Sequence, residues 1–288
     1  MSSIYHEGEY YIQEKMGVRK DSDSLSSMIR DTIPSVAANF LKTLNFSVLV
    51  ISSNEKDLFS TVVYDINSFI EIKSHNEILI KLNNHSYIPE DFFNIETLNI
   101  GFIGLDFEQA LRIRINGKAK LKDNQLFVTI EEIYSNCPKY IQRRVLKKQL
   151  ERVEAQVTTN LNKIKDDINT IISNSDTFFL GSFHKIKGLD ISHKGGKRGF
   201  VNVLSSKQLS FEDRPGNNLY NSLGNIHTNP YISMFFIDFK RNNTYHIKGK
   251  AEIEEIVINE KKRLRVIIEI NNITKNLNSF LLNYIEKT

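Results

Sequence analysis

The sequence predicts a mainly β protein, β-barrel with some α, built as two tandem barrels joined by a long helix. Three observations carry that expectation. Short apolar runs of strand length recur along the 288 residues, separated by brief polar connections. The pattern also repeats. Slid by 132 positions, Leu105-Asp106-Phe107 falls over Ile237-Asp238-Phe239, and Ile115-Asn116-Gly117-Lys118-Ala119 over Ile247-Lys248-Gly249-Lys250-Ala251. At the same offset Phe46-Ser47-Val48 falls over Phe178-Phe179-Leu180, and at 131 Ser68-Phe69-Ile70 falls over Gly199-Phe200-Val201. Between the copies, finally, apolar residues step by three and four, as on one face of a helix.

The opening MSSIYHEGEYYIQEK is polar and mixed in charge, unlike a signal peptide. Residues 18–30 read as loop or a loosely held helix start. Copy one then reads as strands Phe46–Ser52, Phe59–Tyr64, Phe69–Ile72, Ile78–Leu82, Leu98–Leu105, Ala110–Leu121 and Leu126–Ile133. In Leu111-Arg112-Ile113-Arg114-Ile115 apolar and basic residues alternate, as on a strand with one buried face. The long helix opens at Ser135 or Asn136, with Pro138 in its first turn. Its stripe is Leu146, Leu150, Val153, Val157, Leu161, Ile164, Ile168 and Ile171. Such a stripe either covers the barrels or forms a dimer seam. Copy two reads as strands Thr177–Phe183, Gly199–Leu204, Gln208–Phe211, Tyr231–Asp238, Thr244–Ile258 and Leu264–Ile270, then a short helix over Thr274–Glu286. Strands this short and this closely connected favour closure, which removes exposed edges. The domains are therefore 1–135, 136–174 and 175–288.

Composition bounds the function. Apolar content of 40% and charged content of 25% are those of a soluble globular chain. Net charge is +4 from 38 basic and 34 acidic residues, with no basic stripe, so nucleic acid is not an expected partner. No apolar run has the length that spans a bilayer. The single cysteine, Cys137, allows no intrachain disulfide and suits a reducing, cytoplasmic setting. The histidines show no metal-ligand spacing, and no nucleophile elbow, Walker loop or dinucleotide fingerprint is present.

Candidate chemistry concentrates between Gly188 and Ile253. Ser192, His193, Lys194, Gly195 and Gly196 form one polar, glycine-containing cluster, with Phe200 just beyond. Asp213, Arg214, Gly216 and Asn217 form a second, and Ser222, Leu223, Gly224 and Asn225 a third. Open backbone amides beside Lys, Arg, Asn and Ser make a phosphate cradle. Each cluster alone also reads as a turn or helix start, and the three together carry the functional reading. Opposite them copy one carries Ser60–Tyr64, residues around Lys81–His85, and Glu90-Asp91-Phe92-Phe93. There the glycines are gone and two acids have appeared, which predicts one ligand per chain, held mainly by copy two. Asn136-Cys137-Pro138-Lys139-Tyr140-Ile141-Gln142 reads either as a plain helix start with a buried small residue or as one that reaches that ligand, with Lys139 and Gln142 as the candidate contacts.

These motifs resemble the two-barrel, flavin-nucleotide-binding members of the pyridoxamine 5′-phosphate oxidase-like, FMN-binding split-barrel family. Tyr5-His6-Glu7-Gly8-Glu9 is similar to the family's opening segment, and Asn136–Gln142 to its mid-chain signature. The three clusters, with Asn229-Pro230 and Asp238-Phe239, follow its second-barrel pattern in order. The chain has Lys194 where the family usually has Arg, Arg198 where it has Pro, and Ser222 where it has Thr; a Lys gives no planar bidentate contact. The resemblance implies two tandem split β-barrels of the FMN-binding type with FMN at their seam. It also implies a pseudo-dimer within one chain, as a monomer or a further homodimer. Lys194, Arg214, Asn217, Ser222 and Asn225 are expected on the phosphate side. The implied activity is that of an oxidoreductase passing electrons from a reductant through FMN to oxygen or a small organic acceptor. The alternative is a non-catalytic flavin- or haem-binding module. No catalytic acid, base or metal site is assigned.

Overall fold

The computed structural model describes residues 4–82, 86–135, 137–149 and 156–287. Three helices lead the chain: α1 (Glu7–Lys15), α2 (Arg19–Leu25) and α3 (Ser35–Thr43). The first sheet comprises β1 (Phe46–Ser52), β2 (Leu58–Tyr64), β3 (Ile70–Ile72), β4 (Glu77–Lys81), β5 (Leu98–Asp106), β6 (Leu111–Lys122) and β7 (Gln125–Ser135). After β8 (Arg144–Gln149), β9 (Val157–Leu161) and α4 (Asp166–Asn174), the second sheet comprises β10 (Thr177–His184), β11 (Gly188–Gly195), β12 (Val201–Ser205), β13 (Gln208–Glu212), β14 (Tyr231–Asp238), β15 (Asn243–Ile258) and β16 (Lys261–Leu277). Helix α5 (Asn221–Thr228) lies between β13 and β14, and β17 (Leu282–Glu286) ends the chain.

The two sheets share one plan. Their strand orders are β2-β1-β5-β6-β7-β4-β3 and β11-β10-β14-β15-β16-β13-β12, matching position for position. Each curls around its own core, and its end strands, β2 and β3 or β11 and β12, are not paired with each other among the described residues. These are the split barrels. Both hairpins carry a register shift at the matching glycine, between Asn116 and Gly117 and between Lys248 and Gly249. A Cβ at Gly117 would overlap the Thr129 carbonyl, and one at Gly249 the Glu269 carbonyl, so both bulges require glycine.

Alternation along the strands divides most of the apolar residues among three large cores, with a small fourth cluster at Tyr5, Tyr134 and Leu219. In β1, Leu49 and Ile51 point into the first barrel, whereas Phe46, Val48 and Val50 point out. The outward set meets Phe179, Ile191, Phe235 and Ile237 of the second barrel, giving a third core between the barrels. Strands β1, β2 and β10 are buried along their whole length because both faces are covered. Helix α3 packs Leu41 on the first barrel core; α1, α4 and α5 pack Ile12, Ile168, Ile172, Leu223 and Ile226 on the second.

The long connecting helix is not formed in the described residues. Strand β8 pairs with β17, and β9 pairs with the far end of β16. Only Asp166–Asn174 is helical, so Ile168 keeps its predicted helical burial while Leu146 instead packs on the interbarrel core. Unpaired strand edges and the β-branched run Val157-Thr158-Thr159 outweigh helical spacing here. Asn136, Leu150 and Val153 lie outside the described residues. The helix expected over Thr274–Glu286 is likewise replaced, by the end of β16 and by β17. Residues 19–25 form α2, and the Ser192–Gly195 cluster lies in strand β11 rather than between strands. No helix of the described residues is long and apolar enough to cross a membrane.

Candidate functional site

A cleft of about 110 Å³ opens where the two barrels meet. Its second-barrel wall is the end of β11 (Ser192, His193, Lys194, Gly195), Phe200, the 212–218 loop and the start of α5. Its first-barrel wall is Ile103 of β5 with Arg112 and Arg114 of β6. Cys137, Lys139 and Tyr140 form a strap across the mouth.

Of the residues singled out from sequence, Ser192, His193, Lys194, Gly195, Phe200, Asp213, Arg214, Gly216, Asn217, Ser222, Leu223 and Lys139 line this cleft. The structure brings all three clusters and the strap together. Four others do not line it. Gln142 is exposed and offers only its carbonyl, to Arg144. Gly196 lies behind the wall, against Phe200 and Arg214. Gly224 is the crossing point of α5 over α1: a Cβ there would overlap Glu9, and one at Gly8 would overlap the Gly224 carbonyl. Asn225 is turned the same way, bonding His6 at 2.9 Å and Ser182 at 3.0 Å. Periodicity alone could not separate the cleft side of an eight-residue helix from its packed side.

The residues missed were Arg112 and Arg114. The alternation at 111–115 was read as core and solvent, but the outward face of β6 is the face that meets the second barrel. Arg114 is 5% exposed and forms a short ion pair with Asp190 of β11, itself 3% exposed. It also donates to Ser192 Oγ at 3.0 Å, and Ser192 meets Ser222 at 2.6 Å. The sequence signal was the repeat itself: at Arg112, Arg114 and Asp190 the other copy has Thr244, His246 and Leu58.

The cleft carries more positive charge than its carboxylates balance. Lys194 pairs with Asp213 at 3.2 Å and Arg114 with Asp190. Arg112, Lys139 and Arg214 make no ion pair among the described residues, against Glu212 alone on the other side of the balance. Arg214 lies over the rings of Tyr140 and Phe200, 5.6 and 5.7 Å from their centroids. Arg112 donates to the Cys137 carbonyl at 2.8 Å and to His193 Nδ1 at 3.0 Å. Burial, then the neighbouring guanidinium of Arg114, lowers the Arg112 pKa to about 10. Burial and the Arg112 charge hold His193 well below its usual pKa, so its imidazole is neutral. Since Nδ1 accepts from Arg112, the proton is on Nε2, which is buried and without a partner among the described residues. Helix α5 begins without a side-chain cap, leaving the amides of its first turn and its positive end at the cleft.

Tyr140 ties the strap to the opposite loop. Its hydroxyl donates to the Pro215 carbonyl at 3.0 Å, and its backbone is left-handed, at φ +66°. Its carbonyl sits so close to Gly195 that a Cβ there would overlap it.

At the place related by the repeat, aromatic side chains of the described residues pack together. Phe59 packs against Tyr87, Phe92 and the edge of His246. His246 bonds Ser233 at 2.9 Å, and burial drives its pKa down to about 3, leaving it neutral. Thr61 and Val62 stand at the positions of His193 and Lys194.

Behind the cleft lies a polar cluster tied to α1. Glu9 is 4% exposed; it accepts from the His6 amide at 2.9 Å and from Asn221 Nδ2 at 2.6 Å. Burial raises its pKa to about 8. A carboxyl whose folded pKa lies above its unfolded value favours folding at low pH. That contribution is complete below the unfolded pKa of about 4.5 and is lost as pH rises toward 8. Glu9→Gln is expected to gain more melting temperature, relative to wild type, at pH 8 than at pH 5, because the Asn221 amide can turn to accept from it. A difference that does not change with pH would show that Glu9 is ionised when folded. Nearby, His6 and His184 stack at 3.8 Å, and His184 Nε2 meets Glu7 at 3.1 Å. Both Nδ1 atoms accept backbone amides, so both Nε2 atoms carry protons, donated to Asn225 and Glu7. The trio is satisfied without an ion.

No protein-family model matches the chain, and no curated protein matches it. Solved structures similar to it include HupZ of Group A Streptococcus, at 18% identity over 41% of this chain and 97% of that one, with a TM-score of 0.32. An FAD-binding protein of Mesorhizobium loti is 10% identical over 42% of this chain and 98% of its own, with a TM-score of 0.30. A Clostridium acetobutylicum protein related to general stress protein 26, of the pyridoxinephosphate oxidase family, is 10% identical over 42% and 92%, also with a TM-score of 0.30.

Proposed function

We propose that the cleft binds one FMN per chain and that the protein is an FMN-dependent oxidoreductase. The observation that carries this is the surplus of donors without acceptors. Arg214, the open first turn of α5 and the neighbouring loop offer charge and amides suited to a terminal phosphate. Arg114 Nε is a buried donor without a partner among the described residues, suited to an acceptor-rich ring system. The residues therefore fit the group chemically. Tyr140 bridges the cleft to the Pro215 carbonyl, and on this reading the strap that bears it shifts to admit the flavin. The ring packing of Phe59 with Phe92 and His246 at the repeat-related place supports a single ligand per chain.

Lys194, Arg214, Asn217 and Ser222 would hold the phosphate; Ile103 and Arg114 would face the ring. FMN, when bound, supplies the hydride and electron transfer chemistry. The protein's part is to bind, orient and exclude water, and Arg114 with Asp190 fixes the wall on which this depends. An absorbance spectrum of the purified protein, with mass analysis of the heat-released ligand, tests the reading. Oxidised flavin bands and one FMN per chain are expected. A colourless protein that takes up no added FMN would overturn it, and two FMN per chain would overturn the single ligand.

A further inference from the structure

We propose that Arg112 is the docking cation for a second ligand of the cleft, and that this ligand is a small organic anion. It deepens the flavin reading, which it needs only to make that anion a substrate. Arg112 stands on the first-barrel wall, separate from the cluster of Lys194, Arg214 and the α5 start assigned to phosphate. Among the described residues its hydrogen bonds go to neutral acceptors, the Cys137 carbonyl and His193 Nδ1, and its Nε is buried and unpartnered. No carboxylate is paired with it among the described residues; the nearby Asp190 is taken by Arg114, Asn116 and Tyr134. A guanidinium drawn out of water without an anion is costly to keep, and an arriving carboxylate or phosphate supplies the missing partner. The second observation is His193, 7% exposed, whose Nε2 proton on the same wall also lacks an acceptor. The two donors are coupled, because Arg112 fixes the tautomer that puts the proton on Nε2. The feature is particular to this site: the repeat-related residues are Thr244 and Thr61, neither charged.

A purely structural role, holding the strap through the Cys137 carbonyl, predicts no anion affinity. The test is calorimetric titration of the full chain, saturated with FMN and at low salt, with sodium benzoate and separately with inorganic phosphate. Wild type is expected to bind at least one probe at millimolar or lower concentration. Benzoate binding assigns a carboxylate, phosphate binding a phosphate ester. Arg112→Gln should weaken that binding at least about tenfold, and Arg112→Lys less, since it keeps charge but loses the fork. Wild type binding neither probe, or Arg112→Gln binding as well as wild type, would overturn the proposal. If the chain takes up no FMN, the same titrations on the Lys194→Ala/Arg214→Ala chain remain decisive. Binding there that depends on Arg112 keeps the anion site while the flavin reading fails.

Discussion

Asp190→Ala is expected to destabilise the protein by about 3–5 kcal/mol, the cost of leaving one partner of a buried ion pair unmatched. For a chain of this size that corresponds to a fall in melting temperature of roughly 10 °C. The carboxylate accepts from Arg114, from Asn116 Nδ2 at 3.3 Å and from Tyr134 Oη at 3.1 Å. All three donors belong to the first barrel and lose this acceptor together, although Arg114 keeps Ser192 Oγ and Asn116 keeps Glu132. The double variant Arg114→Met/Asp190→Leu should recover much of the loss, because two apolar side chains carry no uncompensated charge. The repeat-related pair, His246 and Leu58, shows that this architecture accommodates an uncharged pair at that place. The measurement is a double-mutant cycle by denaturant unfolding. Additive single effects would show that the pair does not couple the barrels.

Much of this arrangement was legible in the sequence because the chain carries the same β unit twice. Gly117 and Gly249 mark the same bulge, and the strands that bear them were placed within a residue or so, whereas the strand paired with the second runs seven residues past its expected end. What failed was local reading without knowledge of the neighbour. Leu146 and Ile164 belong to one apparent helical stripe, but Leu146 serves a strand against the interbarrel core and only the region after Ile164 is helical. Spacing by three and four cannot register that β16 has an unpaired edge for β9 to fill. The site shows the same limit. Glycines, Lys194, Arg214 and Ser222 announced themselves by residue type, whereas Arg112 and Arg114 looked like an ordinary solvent face. A strand in a double barrel has two buried faces, and only the second copy shows what the outward face meets. Gly224 was misplaced in reverse: its glycine serves the approach of α1, not of a ligand.

Lys194→Ala/Arg214→Ala is expected to weaken FMN binding by about 10²–10⁴-fold, two charge-assisted contacts at roughly 1.5–3 kcal/mol each. The protein should therefore purify without flavin. The loss exceeds the removal of two contacts in one respect. Lys194 neutralises Asp213 at 3.2 Å, so its removal leaves a carboxylate facing the phosphate. Asp213→Asn should consequently move affinity in the opposite direction, by releasing Lys194 and removing the repulsion. Neither change touches a barrel core, since Arg214 is held by two aromatic rings at the cleft and Lys194 is only partly buried. Melting temperatures of the ligand-free variants should stay close to wild type, and that control separates lost binding from lost folding. Equilibrium titration monitored by flavin fluorescence gives the affinities, and raising the salt concentration should weaken wild type more than the double variant. Full flavin retention in the double variant would move the phosphate away from these residues. It would leave the α5 start and the Asn217 loop to hold it.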